Sequence, residues 1–196
     1  MIGYVKGKVV GLNPSQTFID INGLGYDVNI TLNTFELIKG KNEVLLYTHL
    51  QVREDAWVLY GFATEEEKEA FQKLLSVSGV GAATARILLS SLSANELAKV
   101  ISHGDSVALQ KVKGIGAKTA QRIILELKGK LEMTMPDLNG NEEWVKKIGI
   151  EEDAMKALIG LGIPKLNAEK AIKKSLPLLE NVESVEELIK TALKNI

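Results

Sequence analysis

The chain has 196 residues, 24 Lys and Arg against 25 Asp and Glu, and a hydrophobic content of 45%, room for one large domain or two to three small ones. The absence of cysteine excludes disulfides and thiolate metal sites. With no signal-peptide core and no apolar run long enough to span a bilayer, the expectation is a cytoplasmic protein. Aromatic residues at 5% and a net charge of −1 argue against base stacking as a main binding mode and give no overall attraction to a polyanion.

The first sixty residues read as strands: Ile2–Val10, Thr17–Ile21, Gly25–Ile30, Glu43–Leu50 and Ala56–Phe62, rich in Val, Ile, Tyr and Phe. Asn13-Pro14, Asn22-Gly23 and Lys39-Gly40-Lys41-Asn42 supply turn chemistry between them. Five short strands in this span suit a small Greek-key barrel of the oligonucleotide-binding type. The tip between the last two strands, Arg53-Glu54-Asp55, taken by itself is an ordinary solvated turn. Its two carboxylates also invite a metal-nuclease reading, which lacks further ligands in the surrounding sequence.

Helical signals follow. Thr64-Glu65-Glu66-Glu67 is a capping box opening a helix that buries Phe71, Leu74 and Leu75. Ser93-Ala94-Asn95-Glu96 caps another, with Leu97, Val100 and Ile101 as its stripe and Gly104 as its stop, and a short helix starts at Ser106. His49 and His103 are isolated and read as structural or exposed rather than as ligands. Gly129 to Asn141, with Pro136, Asp137, Asn139 and Gly140, loses periodicity and reads as a linker. A compact helical unit closes the chain, with helices near Glu151–Leu161 and Asn167–Leu176 and a third begun by a capping box at Ser184-Val185-Glu186-Glu187.

Within this frame one phrase occurs twice. Val77-Ser78-Gly79-Val80-Gly81-Ala82-Ala83-Thr84-Ala85 is matched by Val112-Lys113-Gly114-Ile115-Gly116-Ala117-Lys118-Thr119-Ala120. Behind each, apolar residues step at helical spacing: Ala85, Leu88, Leu89, Leu92 and Ala120, Ile123, Ile124, Leu127. Glycine admits a left-handed turn and a close backbone approach, and the first amides of a helix face an anion with the positive end of the dipole. A Rossmann fingerprint would need a third glycine where Thr84 and Thr119 stand, and a Walker A loop a different spacing before Lys118-Thr119. Charge agrees with an anionic ligand: residues 71–131 carry nine Lys/Arg against three Asp/Glu, whereas residues 1–62 carry five against six and residues 136–196 nine against eleven.

The duplicated phrase resembles tandem helix-hairpin-helix motifs, and the chain around it resembles the RuvA family of Holliday junction-binding subunits. The resemblance runs through Met1-Ile2-Gly3, Thr48-His49, Val52-Arg53-Glu54-Asp55-Ala56, Tyr60-Gly61-Phe62, both hairpins and the C-terminal helical unit. It implies an α+β multidomain protein. An oligonucleotide-binding-type barrel would occupy residues 1–63 and a tandem helix-hairpin-helix domain 64–130. A linker at 131–141 and a ubiquitin-associated-like three-helix domain at 142–196 complete the arrangement.

The expected phosphate contacts are Gly79, Val80, Gly81, Ala82, Ala83 and Arg86 in the first hairpin, and Gly114, Ile115, Gly116, Ala117, Lys118, Thr119 and Arg122 in the second. Glu54 and Asp55 match the family's acidic pin, and Leu158, Leu161, Gly162 and Ile163 fall where a motor-binding surface or simple core would lie. Implied partners are four-way junction DNA, a RuvB-type hexameric ATPase, a RuvC-type resolvase and further copies of the chain as a homotetramer, alone or as two tetramers sandwiching the junction. The implied setting is recombination and SOS-linked DNA repair, with no cofactor, metal or catalytic residue. One departure from the pattern is Ala83, where a basic residue is expected; Arg86 stands three positions on. Two other classes stay open on the residues alone: a tandem-hairpin adaptor without junction preference, and an enzyme of the glycosylase or metal-nuclease kind.

Overall fold

The computed structural model describes residues 1–131, 142–178 and 184–195. The chain forms two compact units, Met1–Met133 and Thr134–Ile196.

The first unit opens with five strands, β1 (Tyr4–Asn13), β2 (Gln16–Ile21), β3 (Leu24–Ile30), β4 (Glu43–Val52) and β5 (Trp57–Phe62), with a helix α1 (Leu32–Ile38) between β3 and β4. They close a barrel in the order β1-β2-β3-β5-β4. All pairs are antiparallel except β3 with β5, the parallel seam that makes it a Greek-key barrel of the oligonucleotide-binding type. Strand alternation sends Val5, Ile19, Val28, Ile30, Val44, Leu46 and Leu59 inward. The β2–β3 turn is the anticipated Asn22-Gly23, both at positive φ (53° and 91°) as a two-residue hairpin requires. Gly7 is demanded by closure, since a Cβ there would run into the Asp20 carbonyl of β2.

Five helices complete this unit: α2 (Glu65–Leu75), α3 (Ala82–Ser91), α4 (Ala94–His103), α5 (Ser106–Gln110) and α6 (Ala117–Leu127). Phe71, Leu74, Leu88, Leu89, Leu97, Ile101, Leu109, Ile123 and Leu127 form their core. Tyr60 and Phe62 of β5 belong to the same core, with Phe71 packed against both at centroid distances of 5.0 and 4.9 Å. β5 therefore sends Leu59 into the barrel core and Tyr60 and Phe62 into the helical core, so one strand contributes to both.

The second unit contains α7 (Glu142–Gly160), α8 (Lys165–Ser175), a 3-10 turn at Leu176–Leu178 and α9 (Val185–Leu193). Its core is small-residue-rich: Ala154, Leu158, Ala168, Ala171, Ile172, Leu188 and Ala192.

Several expectations are adjusted. Helix α1 was not anticipated; Thr31 caps it by accepting the Thr34 amide, and Phe35 and Ile38 face the barrel core. β1 runs on to Asn13 because a bulge between Val9 and Gly11 lets it bend and keep pairing with β2. Helix α7 begins at Glu142, nine residues before the expected Glu151. The box at Thr64 is half formed: Thr64 accepts the Glu67 amide, but the Glu67 side chain is diverted to the hydroxyls of Thr31 and Thr34. At Ser93 the box is complete in both directions. Residues 132–141 of the expected linker lie outside the described residues.

Candidate nucleic-acid interface

The two hairpins superimpose hydrogen bond for hydrogen bond. In the first, the Val80 amide donates to the Val77 carbonyl at 3.0 Å, closing a turn with Gly79 at φ 86°. In the second, the Ile115 amide donates to Val112 at 3.1 Å around Gly114 at φ 91°. A positive φ at the third turn position is what glycine supplies. Val80 and Ile115 plug into the core at 6% exposure each, anchoring the turns from below.

Gly81 and Gly116 then cap α3 and α6 with extended backbone (φ −92° and −84°), and their carbonyls accept the Ala85 and Ala120 amides at 2.9 Å. No side chain caps either helix. The first-turn amides, at Ala82 and Ala83 and at Ala117 and Lys118, are therefore not taken up by any capping side chain. A Cβ at Gly81 or Gly116 would meet nothing within 4 Å. Packing does not demand glycine there; an approaching ligand would.

The cations around this face divide into two groups. Lys111, Lys113, Lys118, Lys128 and Lys130 are exposed. Arg122 instead reaches from α6 to the first turn, where Nη1 donates to the Ser78 carbonyl at 3.1 Å and its hydroxyl at 3.3 Å. Arg86 turns back to the barrel, where Nη1 donates to Asn29 Oδ1 at 2.7 Å and the Ser15 carbonyl at 3.3 Å. Both arginines thus hold pieces of the interface together. The charge missing at Ala83 is not replaced by a free Arg86 Nη1.

The tip at residues 53–56 is closed by the Arg53 amide donating to the Ala56 carbonyl at 2.9 Å. Glu54 and Asp55 are exposed at its apex. Among the described residues no three His, Asp or Glu side chains come together as a metal would need. His49 packs edge-on against Phe71 at 5.6 Å, and burial, then Lys68, holds its pKa below the ordinary value. In the second unit Leu158 is fully buried, Ile163 packs partly into the core, Gly162 sits at φ 89°, and Leu161 is 65% exposed, as Ile159 and Leu166 also are in part. Only Leu161 of the four is a free apolar surface residue.

One residue escaped the sequence reading. Trp57, the first residue of β5, is 77% exposed directly beside the acidic tip. Its exposure depends on how far the hairpin outruns the barrel, which no local pattern reveals.

A closed oligonucleotide-binding-type barrel fused to twin helix-hairpin-helix turns, followed in the chain by a separate helical unit, defines a multidomain nucleic-acid-binding architecture. Residues 1–61 match the model described as RuvA N terminal domain, residues 71–130 the SAM-like Helix-hairpin-helix tandem, and residues 149–196 the RuvA, C-terminal domain. Relatives named Holliday junction branch migration complex subunit RuvA are 46% identical in Christiangramia forsetii and 43% identical in Bacteroides fragilis, in each case over 100% of both chains. The Porphyromonas gingivalis relative of the same name is 44% identical over 99% of both. The chain belongs to the RuvA family.

Proposed function

We propose that this protein binds Holliday junctions by structure rather than sequence, holds their four arms, and recruits a RuvB-type ATPase motor that drives branch migration. The observation that carries the DNA half of this reading is the pair of matched turns with uncapped helix N-termini at Gly81 and Gly116. Each turn offers backbone amides to a phosphate, with Lys113 and Lys118 adding charge at the second. Phosphate contacts set position without reading bases, so affinity falls steeply with salt and hardly varies with sequence.

Junction preference follows from several copies acting together. Four chains in four-fold symmetry would each hold one arm, with Glu54 and Asp55 of each near the crossover, where their charge repels phosphates and disfavours continuous duplex. The barrel with its acidic tip (1–63), the hairpin domain (64–130) and the three-helix unit (142–196) take the roles of centre, clamp and motor dock. In the last, the exposed Leu161 is an apolar surface residue available to a motor subunit.

The clamp is tested at Gly81 and Gly116. Both have negative φ and open space at Cβ, so Gly81→Val with Gly116→Val keeps a cooperative fold at a cost of about 1 kcal/mol per helix cap. The side chains stand in the path of the phosphate, and junction binding in a gel shift is expected to disappear. Full binding by the double variant would refute the clamp.

A further inference from the structure

The β4–β5 hairpin carries a second recognition feature next to its acidic tip. β1 accompanies β4 only as far as Tyr47, with the Thr48 amide still bonded to Gly3, and β3 accompanies β5 only from Leu59. Beyond these points β4 and β5 pair solely with each other, through Gln51↔Val58 and Val52↔Trp57. Val52 and Trp57 are cross-strand partners and share the face that continues the barrel interior, since they alternate with the same parity as Leu50 and Leu59. There is no barrel left beneath them: Val52 is 60% and Trp57 77% exposed. A large indole is thus held out on a two-stranded ribbon, within three residues of two carboxylates.

We infer that Trp57 is a stacking platform for an unpaired nucleobase at the junction crossover. This rests on the junction-binding reading above and deepens it. The chemistry around the indole selects a base over the other partners a DNA molecule offers. Glu54 and Asp55 repel the phosphate backbone, so an ordinary duplex flank is disfavoured against this ribbon. A base exposed by strand parting is uncharged and presents a flat face to the indole, whichever base it is. Val52 stands directly opposite the indole across the strand pair. Arg53, the one cation of the loop, is turned back along β4 with Nη2 donating to Gln51 at 3.3 Å. The acidic tip would part the strands and the indole would hold what is parted.

The test uses the full chain with Trp144→Phe, leaving Trp57 as the only tryptophan. Titration with an immobile four-way junction is expected to quench Trp57 emission by more than half, while duplex of equal length leaves it nearly unchanged. In the natural chain, Trp57→Ala should weaken junction binding about tenfold without changing affinity for duplex, and Trp57→Phe should restore most of it. Junction binding with unchanged emission and an unaffected Trp57→Ala variant would overturn the stacking assignment and leave the hairpin clamp standing. Failure of the natural chain to prefer junction over duplex would overturn both. If Trp57→Ala instead lowers the mass seen by light scattering, the indole is a contact between copies of the chain, and the inference is wrong.

Discussion

At the scale of single residues, the proposed phosphate cradle needs little from each hairpin. Gly79 and Gly114 bend the turn, Val80 and Ile115 anchor it, and Gly81 and Gly116 leave a helix end uncapped. The acidic tip supplies the opposite chemistry, and it is testable independently. Glu54→Gln with Asp55→Asn is expected to preserve or tighten junction binding, because repulsion is removed, while altering the rate of motor-driven branch migration. Unchanged binding together with unchanged migration would return the tip to an ordinary turn. The glycines were legible in the sequence because a positive φ is a local demand and the phrase is repeated. The arginines were not. Arg122 finds Ser78 from 44 positions away and Arg86 finds Asn29 from 57, so their role as struts depends on tertiary placement. Trp57 was hidden for a related reason: a low aromatic content says nothing of where one indole is left exposed.

Between elements, the joint that holds barrel to helices is a relay centred on Glu67. The Ala63 amide donates to the Thr34 hydroxyl, which donates to Glu67 at 2.7 Å; the Thr34 amide donates to the Thr31 hydroxyl, which donates to the other carboxylate oxygen. All three side chains are buried, and α1 and α2 are tied through them. Glu67→Ala leaves two buried hydroxyls without an acceptor, and urea unfolding should show a loss of about 2–4 kcal/mol. Burial raises the Glu67 pKa above its ordinary value, against the lowering effect of the Thr31 and Thr34 hydroxyls and the Ala63 amide. A carboxyl raised in the fold adds stability below its unfolded value and loses it as pH rises through the raised one. The natural chain should therefore gain stability relative to Glu67→Gln as pH falls from about 7 toward about 4.5, and a difference flat across that window would contradict the assignment. The sequence pointed to a capping box at this glutamate. It could not show α1, whose seven residues carry too little periodicity to stand out, or that α1 would claim the carboxylate for itself.

For the whole molecule, the order of parts was readable in advance: strands first, duplicated hairpins next, a separate helical unit last. The helical start at Glu142 was not, because it follows directly on Asn139-Gly140-Asn141, which reads as the end of a linker. Division into units Met1–Met133 and Thr134–Ile196, each with its own hydrophobic core, predicts that a chain ending at residue 133 keeps its junction affinity in a gel shift and loses motor-dependent branch migration. Loss of DNA binding on that truncation would place part of the clamp in the second unit. The number of copies is a property of surfaces between chains, and one sequence does not count them. The most direct measurement of the central claim is therefore competition: an immobile four-way junction against excess duplex of equal length, with the mass of the complex followed by light scattering. The junction is expected to remain bound by a tetramer, or by two tetramers sandwiching it, at duplex excesses of about a thousandfold, the lower limit for specific binding. Equal affinity for the two DNAs by a monomer would contradict it, leaving only a double-hairpin DNA binder.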